Sequence, residues 1–460
     1  MPLAQPQVIH AKTALTPLGW QADIQVVIGP KGKITDVGPQ TLPASHRTAI
    51  LLPAPLNLHS HAFQRAMAGL TEGRGMDASD SFWTWRRLMF RFLDQLTPDD
   101  VQAISAQVYM EMLEAGFAAV AEFHYLHHDQ SGAFYGDIAE MSGRIVAAAQ
   151  AAGIGLTLLP VHYQFGGCDG RALLAGQQRF GTNPDQFMRL HQGAGAVLAH
   201  GPADYVLGAA PHSLRAVSQE GLRAVLDFAA TGPLHMHLAE QMAEVDEVHA
   251  AYGARPVEWL LANHAVDARW CLIHCTQMTG GETRALAATG AVAGLCPLTE
   301  ASLGDGIFNG AEYVAAGGRF GFGSDSNIQI SLFEEAKALE NSQRLSLRKR
   351  AVLAAPPHST GRALFDGALA GGAQAGGRDS GAITTGAQAD LIGLNDDTAH
   401  LWGRRGDQIL DSLIFGGGGP TALRDVWSAG RHMVQGGRHI HREAIETAYK
   451  STLRRLKTDL

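Results

Sequence analysis

The chain has 460 residues, 46% of them hydrophobic and 17% charged, which suits one large core plus a smaller module and argues against a disordered protein. A net charge of −8 with no basic tract speaks against nucleic-acid binding. Four scattered cysteines (Cys168, Cys271, Cys275, Cys296) make no disulfide framework, and no apolar run reaches the roughly 20 residues of a membrane helix or forms a signal peptide, so the expected location is the cytoplasm.

In chain order, residues 1–52 read as short strands with tight turns, including a hairpin over 24–38 around a Gly-Lys turn. From 53 to 377 the style changes. Eight short apolar runs (51–61, 118–124, 154–161, 205–213, 234–240, 270–276, 291–298 and 319–326) alternate with helical patterns such as 99–116 and 220–230. Eight strand–helix units predict an α/β chain built on a TIM-like (β/α)₈ barrel. A doubly wound open sheet is the alternative, but no G-x-G-x-x-G follows the first strand. Residues 378–460 return to strands broken by Gly, at 390–395 and 425–440, and end in a helix over 441–460 with late basic residues. The two ends are expected to join into one small β-sandwich module.

The polar residues of the eight runs gather at their C-terminal ends, the face on which a barrel carries its active site. The first run ends His59-Ser60-His61, and residues two apart on a strand point the same way, so both imidazoles can reach one ion. The fifth ends His235-Met236-His237-Leu238-Ala239-Glu240; one histidine can ligate while the other packs, and the carboxylate three residues on can serve a bound water as a proton shuttle. The sixth ends at His274. Cys271 and Cys275 flank it, but a single Cys-x₃-Cys is a poor zinc signal and both read as core. The eighth ends at Asp325, which is either a helix N-cap or the carboxylate of a metal site. Imidazoles and one carboxylate around an open position suit Zn²⁺, one per chain, with Fe²⁺ and Mn²⁺ as the other ions such a set accepts. No lysine lies between Lys33 and Lys337. A bridging carboxylated lysine on a middle strand is therefore unavailable, which favours a single metal.

The segments LPAPLNLHSHAFQRAMAGLTE, HLAE, LIHCTQM and GSDSN resemble the deaminase branch of the amidohydrolase superfamily. More narrowly, HSHAFQRAMAGLTEGR, SFWTWRRLMFRF, EFHYLHHD, APHSLRAV, HMHLAEQ and DVWSAGRHMV resemble the formimidoylglutamate deiminases of bacterial histidine degradation, essentially end to end. The resemblance implies His59, His61, His237 and Asp325 as zinc ligands, with His237 preferred to His235 because it opens the H-x-x-E pattern. It implies Glu240 as acid and base, and His274 with Asp325 as the groups that hold the attacking water. It implies substrate contacts from Gln64, Arg86, Tyr125, His212 and Arg215; Arg87 could carry the role given to Arg86. The implied substrate is a small molecule with two carboxylates and an amidine, and two arginines suit two carboxylates because guanidinium grips carboxylate in a planar fork. A homodimer is also implied, with neither nucleic acid nor membrane as partner. The alternative is another amidohydrolase deaminase, acting on a purine, guanidine or triazine-like substrate.

Overall fold

The computed structural model describes residues 6–72 and 89–456. Four strands open the chain: β1 (Gln7–Thr16), β2 (Gly19–Ile28), β3 (Ile34–Pro39) and β4 (His46–Pro53). The expected hairpin is the antiparallel β2–β3 pair, while β4 lies parallel to β1. The apolar run 51–61, read as one strand, is divided between two sheets. Pro53 and Pro55 bring no backbone N–H to a ladder, and the chain leaves one sheet and enters the other between them.

The barrel strands follow: β5 (Leu56–Ser60), β6 (Ala119–His124), β7 (Gly155–His162), the two short pieces β8 (Val206–Leu207) and β9 (Ala210–Pro211), then β10 (Leu234–Leu238), β11 (Trp270–His274), β12 (Val292–Leu295) and β13 (Arg319–Phe322). With β8 and β9 sharing the fourth position, these fill eight parallel positions that coincide with the eight apolar runs. Two parallel bridges join the half-sheets, Ala209 with Leu234 and Ser60 with Asp325. At the second seam the His61 amide donates to the Asp325 carbonyl (2.9 Å), and the Asp325 amide donates to the His59 carbonyl (3.0 Å). The backbone that closes the ring is thus the backbone of three expected metal ligands.

The chain then returns to the first sheet with β14 (Leu391–Leu394), β15 (Leu423–Ser428), β16 (Arg431–Gln435) and β17 (Arg438–His439), giving the order β17-β16-β15-β14-β4-β1-β2-β3. Period-two alternation lets β4 serve two cores. Leu51 points into a small cluster with Ile9, Val26, Leu391 and Trp427, while Ile50 and Leu52 join the large barrel core. The helix Pro98–Glu114 starts on a capping box in which Thr97 and Asp100 satisfy each other's backbone N–H. The terminal helix Arg442–Arg455 packs against it, pairing Arg442 with Glu114 and Arg455 with Asp100.

Candidate active site

His59 and His61 sit at the end of β5, His237 at the end of β10, His274 at the end of β11, and Asp325 three residues beyond β13. The ligand atoms of His59, His61 and His237 lie within 4.8 Å of one another. Asp325 Oδ1 is 3.5 Å from His59 Nε2 and 3.4 Å from His61 Nε2. His274 Nε2 faces Asp325 Oδ2 at 3.8 Å and Glu240 Oε1 at 3.9 Å. Residues up to 266 positions apart in sequence converge here because parallel strands of a barrel all end on the same rim.

The outer hydrogen bonds decide which ring nitrogen faces inward. His61 Nδ1 meets the Phe123 carbonyl at 2.9 Å, and His237 Nδ1 meets the His212 carbonyl at 3.2 Å. A carbonyl only accepts, so each Nδ1 carries the proton and each Nε2 presents a lone pair to the centre. His237 Nε2 lies 3.1 Å from His59 Nε2, close to the separation of two nitrogens on one tetrahedral Zn²⁺ with bonds of about 2.0–2.1 Å. Three imidazoles and a carboxylate gathered this closely are the donor set of a divalent ion, so the residues fit a metal. Burial keeps the imidazoles neutral: His59 is pushed down to about 3, and His61 and His237 are lowered too. Asp325 is held below the usual carboxylate range; burial opposes this, but its hydrogen bond with His59 and the histidines around it outweigh it.

The seam beside Asp325 is tied by side chains. Asn57 accepts from the Ser324 amide (3.1 Å) and donates to Ser324 Oγ (2.6 Å). Ser324 Oγ in turn donates to Asn327 Oδ1 (2.6 Å), and Asn327 Nδ2 donates to Ser60 Oγ (3.1 Å). Gly323 is required by the approach itself: a Cβ there would lie 2.7 Å from His59 Cβ. Of the nine non-glycine residues with positive φ among the described residues, Ala239, His274, Cys275, Asp325 and Asn327 are at this rim. Such conformations cost energy and persist where surroundings hold them, as they do at functional sites.

Three buried carboxylates absent from the sequence expectations support these groups. Glu300 Oε1 accepts from the Cys296 amide (2.9 Å) and faces His274 Nδ1 (3.2 Å). Burial works to lower His274, yet Glu240, Glu300 and Asp325 together raise it to about 10. Glu244 accepts from the amides of Ala239 and Glu240 and fixes the turn that presents Glu240. Glu122 accepts from the Ala62 amide at 2.7 Å, just past His61. The sequence signal for Glu300 was its place five residues beyond the seventh apolar strand; the other two resemble ordinary helix and strand carboxylates.

A cleft opens over the centre, lined by Gln64, Tyr125, His212, Arg215, Glu240 and His274 together with Met89, Tyr163 and Phe180. Gln64 donates to the Tyr125 hydroxyl at 3.1 Å. Arg215 is buried, and its Nε has no hydrogen-bond partner among the described residues. Glu240 is raised by burial, with Glu244 and Asp325 adding to the effect and His274 opposing it. His235 turns instead to the Ala375 carbonyl (2.8 Å) and takes no part in the ligand group. Cys271 and Cys275 are buried free thiols. Arg86 and Arg87 lie outside the described residues.

A barrel whose strand ends bring imidazoles and a carboxylate together beneath a cleft is the architecture of metal-assisted hydrolases. Residues 50–432 match the amidohydrolase family, and the chain belongs to that family. Residues 6–46 match the N-terminal domain described as that of the formimidoylglutamate deiminase HutF. The chain is 46% identical to the formimidoylglutamate deiminase of Pseudomonas aeruginosa over 449 residues, 97% of this chain and 98% of that one. It is 27% identical over 376 residues to a 5-methylthioadenosine/S-adenosylhomocysteine deaminase of Halobacterium salinarum, covering 80% and 77% of the two chains. Among solved structures it resembles an amidohydrolase from Brucella melitensis, with 47% identity, a TM-score of 0.93, and 98% and 99% coverage.

Proposed function

We propose that the chain hydrolyses N-formimidoyl-L-glutamate to N-formyl-L-glutamate and ammonia in histidine degradation. The observation that carries this reading is the 46% identity with the Pseudomonas deiminase across nearly the whole of both chains. The reaction adds water across the amidine carbon and expels its imino nitrogen as ammonia. His59, His61, His237 and Asp325 would hold one divalent ion, Zn²⁺ by donor chemistry. When bound, such an ion supplies a water acidified from a pKa of about 16 toward about 7.

The chain's own groups do the rest. Asp325 accepts one proton of the attacking water, and His274 orients that water. Glu240, whose carboxyl burial biases toward the protonated form, donates to the imino nitrogen and makes the carbon more electrophilic. As the tetrahedral carbon collapses, the water proton held by Asp325 reaches the departing nitrogen, and the hydroxyl proton released in forming the formyl carbonyl restores Glu240. No covalent bond between enzyme and substrate is needed. Arg215 grips one substrate carboxylate and Arg86 the other, while Gln64, Tyr125 and His212 position the chain between them. A flat purine, the other class open to this fold, brings no carboxylate to the buried Arg215. We further propose a cytoplasmic homodimer, which the family resemblance supports; no helix among the described residues is long and apolar enough to cross a membrane.

The test is ammonia release from N-formimidoyl-L-glutamate measured beside guanine, adenosine and methylthioadenosine. The expected outcome is turnover of the amidine alone. Faster release from any purine would replace this reading by the purine one.

A further inference from the structure

A second group of metal-ligating side chains lies in the terminal sheet, on strands that carry none of the catalytic groups. His46 begins β4, Asp425 is on β15 and His432 on β16, and one ligand atom from each falls within 4.8 Å of the others. His432 Nε2 meets Asp425 Oδ1 at 2.8 Å. His46 Nε2 lies 3.3 Å from Asp425 Oδ2, inside ion-pair range but without hydrogen-bond geometry, and this buried nitrogen has no hydrogen-bond partner among the described residues. From these positions we infer that His46, Asp425 and His432 form a second divalent-metal site, of Zn²⁺ type, joining the N-terminal and C-terminal strands of the sheet.

Several features make this a built site. Trp427 stacks on His432 with ring centroids 4.3 Å apart and meets the His46 ring edge-on at 4.9 Å, so one indole fixes both imidazoles. Gly393 of the intervening β14 pairs with Asp425. A Cβ there would stand 3.0 Å from Thr48 Oγ1 and 3.1 Å from Asp425 Cβ, so side chains from β4 and β15 close over a position that has none of its own. The three side chains are 28%, 12% and 19% exposed. An ion can therefore enter from solvent and keep a water as its fourth ligand. Two imidazoles and a carboxylate with one open position are a zinc donor set. Their separation of 379 to 386 residues in sequence means that such an ion would tie the two ends of the chain together.

Total metal per chain is measured on the holoenzyme by elemental analysis after equilibrium dialysis at graded free Zn²⁺. Parallel samples carry His46→Gln and His432→Gln, and turnover of each is the check that it has folded. The expected result is one metal rising to two in the parent protein. Each variant should hold one, with the second binding step weakened by at least the ~10–100-fold that loss of a supporting hydrogen bond alone costs a metal site, and with kcat unchanged. Zn²⁺ should raise the melting temperature of the parent holoenzyme and not of the variants. Saturation of the parent at one metal, or a second metal that persists equally in either folded variant, would overturn the assignment. If one variant loses activity, the other decides.

Discussion

Replacing Glu300 by Gln isolates the charge behind His274. The substitution keeps the shape and one Oε1, so the Cys296 amide and His274 Nδ1 retain an acceptor at the present 2.9 and 3.2 Å. What is lost is the negative charge. A hydrogen bond to a charged partner is worth about 1.5–3 kcal/mol and a neutral one about 0.5–1.5 kcal/mol, so the change removes about 1.4 kcal/mol of support from the protonated imidazole, or one pKa unit. His274 is raised to about 10 with Glu300 as one of its supports. In the variant it should lose its proton about one pH unit lower, and a rate limb set by His274 should move to lower pH by that amount. Below that limb His274 keeps its proton, so kcat near pH 7, KM and metal content should stay close to the parent's, and the loss should appear only as the limb is approached. The assay is ammonia release from pH 6 to 10 with elemental analysis of the same samples. An alkaline limb that stays where it is in the parent would refute the coupling.

Glu240→Gln should retain its metal while kcat falls by ~10²–10⁴-fold, the usual contribution of a positioned proton donor; comparable turnover would remove Glu240 from proton transfer. Arg215→Met should raise KM about 10- to 100-fold, since a charged hydrogen bond of about 1.5–3 kcal/mol is lost, and an unchanged KM for the dicarboxylate would place its anchor elsewhere. Gly323→Ala pushes a methyl to 2.7 Å from His59 Cβ and should cost about 1–3 kcal/mol as overpacking does, read as a lower melting temperature together with lower metal occupancy. Chelation should abolish activity and lower the melting temperature, because an ion bound only by the folded state stabilises it by mass action. Activity that survives complete metal removal would end the metal-assisted reading.

Much of the centre is legible in the chain because strand geometry is local. His59 and His61 must share a face, Glu240 must fall where β10 gives way to loop, and apolar runs ending in polar residues must present them at one rim. Elsewhere the chain alone was ambiguous or silent. Both His235 and His237 have the alternation of a ligand; the H-x-x-E pattern favours His237, and the structure turns His235 to the Ala375 carbonyl and His237 to His59. Asp325 could have been a helix cap until ring closure set its backbone against that of His59 and His61. Glu122, Glu244 and Glu300 carry no periodic mark because their work is to satisfy particular N–H groups on other segments. The run 51–61 concealed a change of sheet that two prolines enforce. The pairing of His46 with Asp425 and His432 is invisible in a linear string. Periodicity along one chain determines which way a side chain faces and which strand end it occupies. Distances between remote segments follow from strand order, ring closure and packing, and these belong to the tertiary structure.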